Sequence, residues 1–213
     1  MPTCHGVDPS PFVRKVKVIC HEKSIAHDSE AVFPLGVSDE YKAISPLGKI
    51  PCWTTDSGRN IPDSSCIGQY LEKTHPEPSL YPSEAEDLGW ALFLEEYGDS
   101  MLAGACGTVF FQRVVRPKFL NETTDEAAVK EALEVTQPPL FSWLDKEIGK
   151  KEFLVGNKFS IADIAVTSPF VNMSYGQEHV DASKYPNLAR YLAGMFERPS
   201  FKKCMEAEAA LFA

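Results

Sequence analysis

A carboxylate and a hydroxyl stand side by side at Asp63 and Ser64, where an amphipathic helix is predicted to begin. A short extended run that opens at Pro51 precedes them, and the segment 56–59, Asp-Ser-Gly-Arg, supplies a turn in between. Asp63 can pair with an ammonium group, while Ser64 and the unbonded N–H groups of the first helical turn can bind a carboxylate. The pattern therefore predicts a corner that holds a small zwitterion, such as an amino acid or a peptide.

A second candidate for chemistry is Ser10, which directly precedes Pro11. Proline is favoured at the first position of a helix, so Ser10 is predicted to be the N-cap of the helix that follows. A hydroxyl at the positive end of a helix can stabilise a thiolate, and a free thiol with a pKa of about 8.5 needs such help near neutral pH. Two interpretations stay open: Ser10 only caps the helix, or it also activates a thiol.

Other reactive side chains have plain structural interpretations. Cys4 and His5 lie in the first predicted strand and are interpreted as strand residues rather than as a redox thiol or a catalytic base. Arg14 is either solvated or reaches a substrate or a domain interface. The basic run 113–118 is either a solvated helix end or a contact for an anionic substrate.

The elements that must position these residues change in kind near residue 76. Before it, extended runs alternate with helical patterns in the order β-α-β and then β-β-α. Residues 76–83 carry three prolines, which suit neither a helix nor a central strand, and so predict a connector. The fold class is therefore α/β plus all-α, with one domain over 1–76, a linker over 77–87 and an all-helical domain over 88–213.

Hydrophobic periodicity and turn signals predict the individual segments. Pro138 and Pro139 are predicted to interrupt the helix that begins at Glu126. The start of another helix is marked by Ser160 and Asp163, which match a capping box. The strands are predicted at 3–7, around 31–33, at 51–55 and at 59–62, and the helices at 12–23, from about 67, at 88–111, from 126, at 140–148, at 161–175, at 186–196 and from 201.

The bulk composition excludes several classes of function. The chain has 213 residues and a net charge of −9, which disfavours a nucleic-acid backbone or an anionic membrane as partner. No apolar run approaches a membrane span, and no signal peptide is recognisable, so the predicted location is cytoplasmic. The six cysteines form neither a CxxC pair nor a zinc pattern, which predicts reduced thiols and no metal.

Four motifs in this order resemble the cytosolic glutathione transferases, in particular the serine-type, tau-like and bacterial classes. They are Ser10 to Val16, Gly48 to Pro51, Asp63-Ser64, and the segment 159–165. The resemblance covers nearly the whole chain and implies a thioredoxin-like domain that binds glutathione, followed by an all-helical domain. It also implies a homodimer, a role in detoxification and a cis peptide bond before Pro51.

The resemblance assigns each end of glutathione a partner. Lys49 is expected to face the glycyl carboxylate, and the backbone of Ile50, preceding Pro51, the cysteinyl part. Asp63 is expected to pair with the γ-glutamyl ammonium and Ser64 to bind the γ-glutamyl carboxylate. Asp63 is one methylene shorter than the Glu or Gln usual at this position.

The implied reaction is attack by the glutathione thiol, activated by Ser10, on a hydrophobic electrophile or a peroxide. A serine at this position disfavours the mixed-disulfide chemistry of the classes that carry cysteine there. The electrophile pocket is expected to include Val7, Phe12, Phe110 and Phe111. Glutathione is the implied co-substrate, and no metal is implied.

Two alternatives use the same fold. One is a protein that binds glutathione or a hydrophobic ligand without catalysis. The other is a glutathione-dependent isomerase or dehalogenase, although the Ser-Ser-Cys signature of a zeta-like isomerase is absent around Ser10. Fold alone does not decide among these functions.

Overall fold

The computed structural model describes residues 1–212. Contacts within the chain define two compact units. The first unit contains residues 1–80 together with the chain from Pro199 onward, and the second contains Tyr81–Arg198. Within residues 1–212, no helix is long and apolar enough to cross a membrane.

A four-stranded mixed sheet forms the centre of the first unit, with the strand order β2-β1-β3-β4. Strand β1 pairs in parallel with β2 and antiparallel with β3, and Cys4 lies opposite Trp53 in that register. Both side chains are almost fully buried, as are Val13, Ile19 and Ile67 of the flanking helices. The elements are β1 Thr3–His5, α1 Pro11–Glu22, β2 Asp28–Glu30, α2 Asp39–Ile44, β3 Cys52–Thr54, β4 Asn60–Pro62 and α3 Ser64–Thr74.

The segment between α1 and β3 differs from the sequence prediction. The second strand lies at Asp28–Glu30 and not at the apolar residues 31–33. All three residues of β2 are exposed, because backbone pairing with β1 holds this edge strand, and polar side chains give no strand signal. Helix α2 was not predicted, since among its residues only Tyr41 is buried and a six-residue helix shows no periodicity. Its start signal was present, because Ser38 caps it ahead of two acidic residues.

The last helix, α10 Pro199–Ala209, belongs to the first unit. Its Glu208 carboxylate accepts two hydrogen bonds from the Arg14 guanidinium on α1, at 2.7 and 2.6 Å. Both side chains are buried. The predicted division at residues 76 and 88 had placed this C-terminal helix in the helical domain, because no local pattern shows which core it joins.

The second unit is helical, in agreement with the predicted all-helical domain. Helix α8 is its centre, with residues 161–173 buried on all sides. A side chain at Gly98 could not fit, because a Cβ there would lie 2.6 Å from the Ala165 backbone. The elements are α4 Ala85–Glu96, α5 Ala103–Phe110, α6 Glu126–Glu131, α7 Gln137–Ile148, α8 Ile161–Tyr175 and α9 Pro186–Phe196, with π-helical segments at Tyr97–Leu102, Phe111–Leu120 and Ala132–Thr136.

The prediction that Pro138 and Pro139 interrupt the helix was wrong. The backbone is helical from Glu126 to Ile148, with a π-helical segment leading into α7. The two prolines occupy the first turn of α7, where a missing N–H and a fixed φ are tolerated. The capping box at Ser160 and Asp163 is confirmed, and its Asp163 Oδ2 accepts from the Ser160 N–H at 2.8 Å.

Candidate functional site

Ser10 is the N-cap of α1, as the sequence predicts. Its backbone is extended, with φ −72° and ψ 129°, and its Oγ accepts from the Val13 N–H at 3.4 Å. Accepting this bond uses a lone pair and leaves the hydroxyl proton free to be donated. The two roles considered for Ser10, helix cap and thiol activation, are therefore compatible in one side chain.

The loop that carries Ser10 is held from several sides. Its N–H donates to the Val7 carbonyl at 3.1 Å, which closes a tight turn. Asp8 within this turn forms an ion pair with Lys17. At the end of β1, Gly6 has a φ of 150°, and a Cβ there would meet Val13 Cγ2 at 2.5 Å. Only glycine lets the strand approach α1 this closely, and sequence reasoning missed this requirement.

A second corner forms where α2 leads into β3. The Ile50–Pro51 peptide bond is cis, as the resemblance implies. The Lys49 carbonyl accepts from the Tyr41 hydroxyl at 3.0 Å and from Ser45 Oγ at 2.8 Å, which fixes the backbone ahead of the proline. The Lys49 side chain itself is exposed.

Asp63 links this corner to α3. Its N–H donates to the Pro51 carbonyl at 3.3 Å, and its φ of 78° lies in a region that non-glycine residues rarely adopt. Its Oδ1 accepts from the N–H groups of Ser65 at 2.9 Å and Cys66 at 3.2 Å, so Asp63 caps α3. Within residues 1–212, Oδ2 makes no hydrogen bond and remains available to a ligand.

This cap changes the predicted anion site. Two N–H groups of the first turn that were expected to bind a ligand carboxylate are occupied by Asp63 itself. The N–H and hydroxyl of Ser64 are the groups that remain at the start of α3, and the Ser64 residue is 3% exposed. The neighbouring Ser65 hydroxyl accepts from the buried Lys15 ammonium at 2.9 Å, which ties α3 to α1. No local sequence pattern predicts this contact of Lys15.

The residues expected in the electrophile pocket divide between the units. Val7 and Phe12 belong to the first, and Phe110 and Phe111 to the second. Phe111 is 38% exposed, and the Phe110 ring lies 6.4 Å from that of Tyr175. The composition of this pocket stays a prediction.

The remaining reactive groups have structural surroundings. Burial raises the pKa of the Cys4 thiol to about 12, so this cysteine is protonated and not nucleophilic near neutral pH. His5 bridges two strands, because its Nε2 lies 2.8 Å from Thr54 Oγ1 and its Nδ1 lies 3.0 Å from Glu30 Oε2. A cavity of about 470 Å³ borders His5 in the first unit, but Ser10, Asp63 and Ser64 do not line it.

The basic run 113–118 has acidic partners within its own unit. Arg113 pairs with Glu126 at 3.2 Å and with Glu178 at 2.7 Å, and these bonds raise the pKa of its guanidinium further. The Arg116 Nε atom lies 3.1 Å from Glu122 Oε2. These pairs favour the structural interpretation of the run over a contact with an anionic substrate.

Comparison with known proteins places this geometry in a family. The family model described as the N-terminal domain of glutathione S-transferase matches residues 5–79, and that of the C-terminal domain matches residues 107–199. The chain belongs to the glutathione S-transferase family. The N-terminal match includes Ser10, Lys49 and Asp63, and the C-terminal match includes Phe110.

The relatives of this chain include proteins named as transferases and proteins named as elongation factors. A probable cytosolic glutathione S-transferase, DHAR1, from Oryza sativa subsp. japonica is 28% identical over 208 residues, which are 95% of this chain and 87% of the relative. Elongation factor 1-gamma from Schizosaccharomyces pombe is 26% identical over 189 residues. The aligned region is 89% of this chain but only 44% of the elongation factor.

Solved structures show the same fold. A glutathione S-transferase from Methylobacillus flagellatus KT, determined with glutathione bound, has a TM-score of 0.76 and 28% identity, covering 96% of this chain and 98% of that one. A glutathione S-transferase from Rhodospirillum rubrum F11 has a TM-score of 0.87 at 21% identity, covering 96% and 91%. The mixed sheet followed by a helical unit is thus the fold of the family.

Proposed function

We propose that this protein is a glutathione transferase that stabilises the glutathione thiolate through Ser10. The observation that carries the proposal is the hydrogen bonding of Ser10, whose Oγ accepts from the Val13 N–H and keeps its own proton for a thiolate. The first turn of α1 adds the positive end of a helix. Together these groups lower the pKa of a bound thiol, and each unit of lowering needs about 1.4 kcal/mol of preferential stabilisation.

In the proposed reaction the thiol proton passes to solvent and the sulfur attacks the electrophile. With an aromatic chloride, a carbon–sulfur bond forms and chloride leaves. The proposed second substrate is a hydrophobic electrophile or, alternatively, a peroxide.

The same proposal assigns glutathione to the corner between β3 and α3. Lys49 receives the glycyl carboxylate, and the Ile50–Pro51 backbone receives the cysteinyl part. Asp63 Oδ2 receives the γ-glutamyl ammonium, while the Ser64 hydroxyl and N–H receive the γ-glutamyl carboxylate. The unused oxygen of Asp63 supports this assignment, because its other oxygen is already committed to the helix cap.

Asp63→Asn should weaken glutathione binding about 10- to 100-fold, the range expected for losing one charge-assisted hydrogen bond. Asparagine keeps the capping oxygen and tolerates a positive φ, so the helix start is retained. Isothermal titration with glutathione measures the change. Asp125→Asn is the matched control, because Asp125 Oδ1 caps α6 through two N–H groups at 3.1 Å each. An unaltered Kd in Asp63→Asn would contradict the ammonium contact.

Ser10→Ala should lower kcat for conjugation at neutral pH by about 100-fold and change the KM for glutathione much less, because the hydroxyl acts on the thiolate. Steady-state kinetics with glutathione and chlorodinitrobenzene measure both constants. Ser38→Ala is the control for loss of a cap alone, since Ser38 Oγ accepts from the Tyr41 N–H at 3.2 Å in the same way. Equal turnover in Ser10→Ala and wild type would refute the catalytic role.

A second candidate is binding of glutathione or a hydrophobic ligand without catalysis. It is favoured by the elongation factor relatives, whose names describe no transferase. Retention on immobilised glutathione, together with no turnover of any electrophile in a broad panel, would support this candidate over the first.

We propose a homodimer in the cytoplasm, as the family resemblance implies. An exposed apolar group on α4 is compatible with such a contact: Trp90 and Leu92 are each 40% exposed and Phe93 is 44% exposed. The Trp90 and Phe93 rings are stacked with their centroids 4.9 Å apart, which gives this surface a preformed shape.

A further inference from the structure

Lys17 on α1 is bonded to the loop that presents Ser10. Its Nζ lies 2.5 Å from Asp8 Oδ1, and the two side chains are 14% and 27% exposed. Asp8 is inside the turn that the Ser10 N–H closes on the Val7 carbonyl. The ion pair therefore fastens this turn to the helix that Ser10 caps.

The pair also places two opposite charges at the turn that carries Ser10. A carboxylate close to a thiol disfavours its ionised form, and a nearby cation favours it. The Cys4 thiol already shows both effects: burial is the main cause of its raised pKa, Lys17 opposes the rise and Asp8 adds to it. A thiol held at Ser10, two residues from Asp8, would experience the same two charges.

Other titratable groups surround this pair, but they do not replace Lys17. Burial lowers the pKa of the His21 and His27 imidazoles, so both are uncharged near neutral pH. Burial likewise raises the pKa of the Cys4, Cys20 and Cys204 thiols, which are therefore protonated near neutral pH. The groups that Lys17 influences from each packed element are Cys4 on β1, Cys20 and His21 on α1, His27 ahead of β2, and Cys204 on α10.

We propose that Lys17 is a positioning residue of the thiol site, which acts through Asp8 by holding the Ser10 turn and neutralising its carboxylate. The inference rests on the proposed transferase function. It assigns a purpose to a cation on α1 that is not among the proposed glutathione contacts.

Lys17→Met should shift the rising limb of the kcat/KM profile to higher pH by about one pH unit, and thus lower kcat/KM below neutral pH about tenfold. The KM for glutathione should change little, because its binding groups are untouched. Asp8→Asn should move the limb to lower pH, because the Asp8 carboxylate then no longer offsets the positive charge of Lys17. The double variant should return the limb close to its wild-type pH, because both charges are gone, while its kcat stays below wild type because the turn is no longer fastened to α1. The assay uses the full chain with glutathione and chlorodinitrobenzene across the neutral pH range.

The controls separate this inference from the proposed function. Lys42→Met removes a lysine from the exposed Asp39 pair on α2 and should leave the profile unchanged. Wild-type turnover that is lost in Ser10→Ala establishes the function independently. An unshifted limb in both Lys17→Met and Asp8→Asn, or a double variant that keeps the full shift of Lys17→Met, would overturn the role of Lys17. Asp8→Asn keeps the test valid if Lys17→Met does not fold.

Discussion

Asp163→Ala should destabilise the helical unit by about 3–5 kcal/mol, because it leaves buried donors without their acceptor. Oδ1 of Asp163 accepts from the Leu154 N–H at 2.9 Å and from the Tyr191 hydroxyl at 2.7 Å. Oδ2 accepts from the N–H of Ser160 at 2.8 Å. One carboxylate thus joins the start of α8 to α9 and to the segment before α8. Urea unfolding followed by circular dichroism measures the loss.

The same network predicts a dependence on pH. Burial raises the pKa of Asp163, and its hydrogen bonds oppose that rise. A raised pKa means that the native state keeps the proton more readily than the unfolded chain, so this carboxyl contributes less to stability as pH rises through the raised value. Tyr191→Phe removes one opposing bond. The Tyr191→Phe variant should therefore lose more unfolding free energy, relative to wild type, at neutral pH than in mild acid.

Asp125→Ala is the matched control for the Asp163 experiment. Asp125 also caps a helix through two N–H groups, but it is exposed, so its removal should cost only about 1 kcal/mol. A similar loss in the two variants would show that burial of Asp163 adds nothing to an ordinary cap.

Arg14→Met should destabilise the first unit by about 3–5 kcal/mol, because the Glu208 carboxylate would stay buried without its guanidinium. The pair is bidentate, at 2.7 and 2.6 Å, and the two side chains are 0% and 1% exposed. It also links α1 to the C-terminal helix. Guanidinium-induced unfolding monitored through Trp53, which is buried in this unit, measures the change.

A double variant distinguishes the cost of an unpaired charge from the worth of the pair. Arg14→Met with Glu208→Met removes both charges and should recover to within about 1 kcal/mol of wild type. Lys151→Met breaks the exposed pair with Glu147 and should cost about 0.5 kcal/mol. A double variant as unstable as Arg14→Met would mean that the pair itself, and not the isolated carboxylate, supplies the stability.

Much of the fold followed from local patterns with a direct physical cause. Helix α1 was predicted from its periodicity and its Ser10 cap, and the β3–β4 hairpin from two short extended runs on either side of the Ser57-Gly58 turn. Strand β2 and helix α2 escaped prediction because tertiary pairing and a short length, rather than side-chain pattern, maintain them. The prediction that the prolines of α7 interrupt a helix was wrong, because a proline breaks a helix only when it lies beyond the first turn.

The candidate site was recognisable as a set of residues but not as an arrangement. Ser10, Lys49, Asp63 and Ser64 stand in sequence contexts that local chemistry can interpret. The sequence did not show which groups remain free to bind a ligand, because it does not reveal that Asp63 accepts hydrogen bonds from the N–H groups of Ser65 and Cys66. That outcome depends on a backbone conformation at Asp63 that no residue type specifies alone.

The sequence by itself indicated the two kinds of domain and the residues that start each key helix, because caps, prolines and periodicity act over a few residues, and its motifs resembled those of the glutathione transferases. Only the tertiary structure decided the partners of the charges on α1. Arg14 joins the C-terminal helix, Lys15 the start of α3 and Lys17 the Ser10 turn. These cations are near neighbours in sequence, yet their partners lie from 9 to 194 residues away, because only tertiary packing brings those partners to α1.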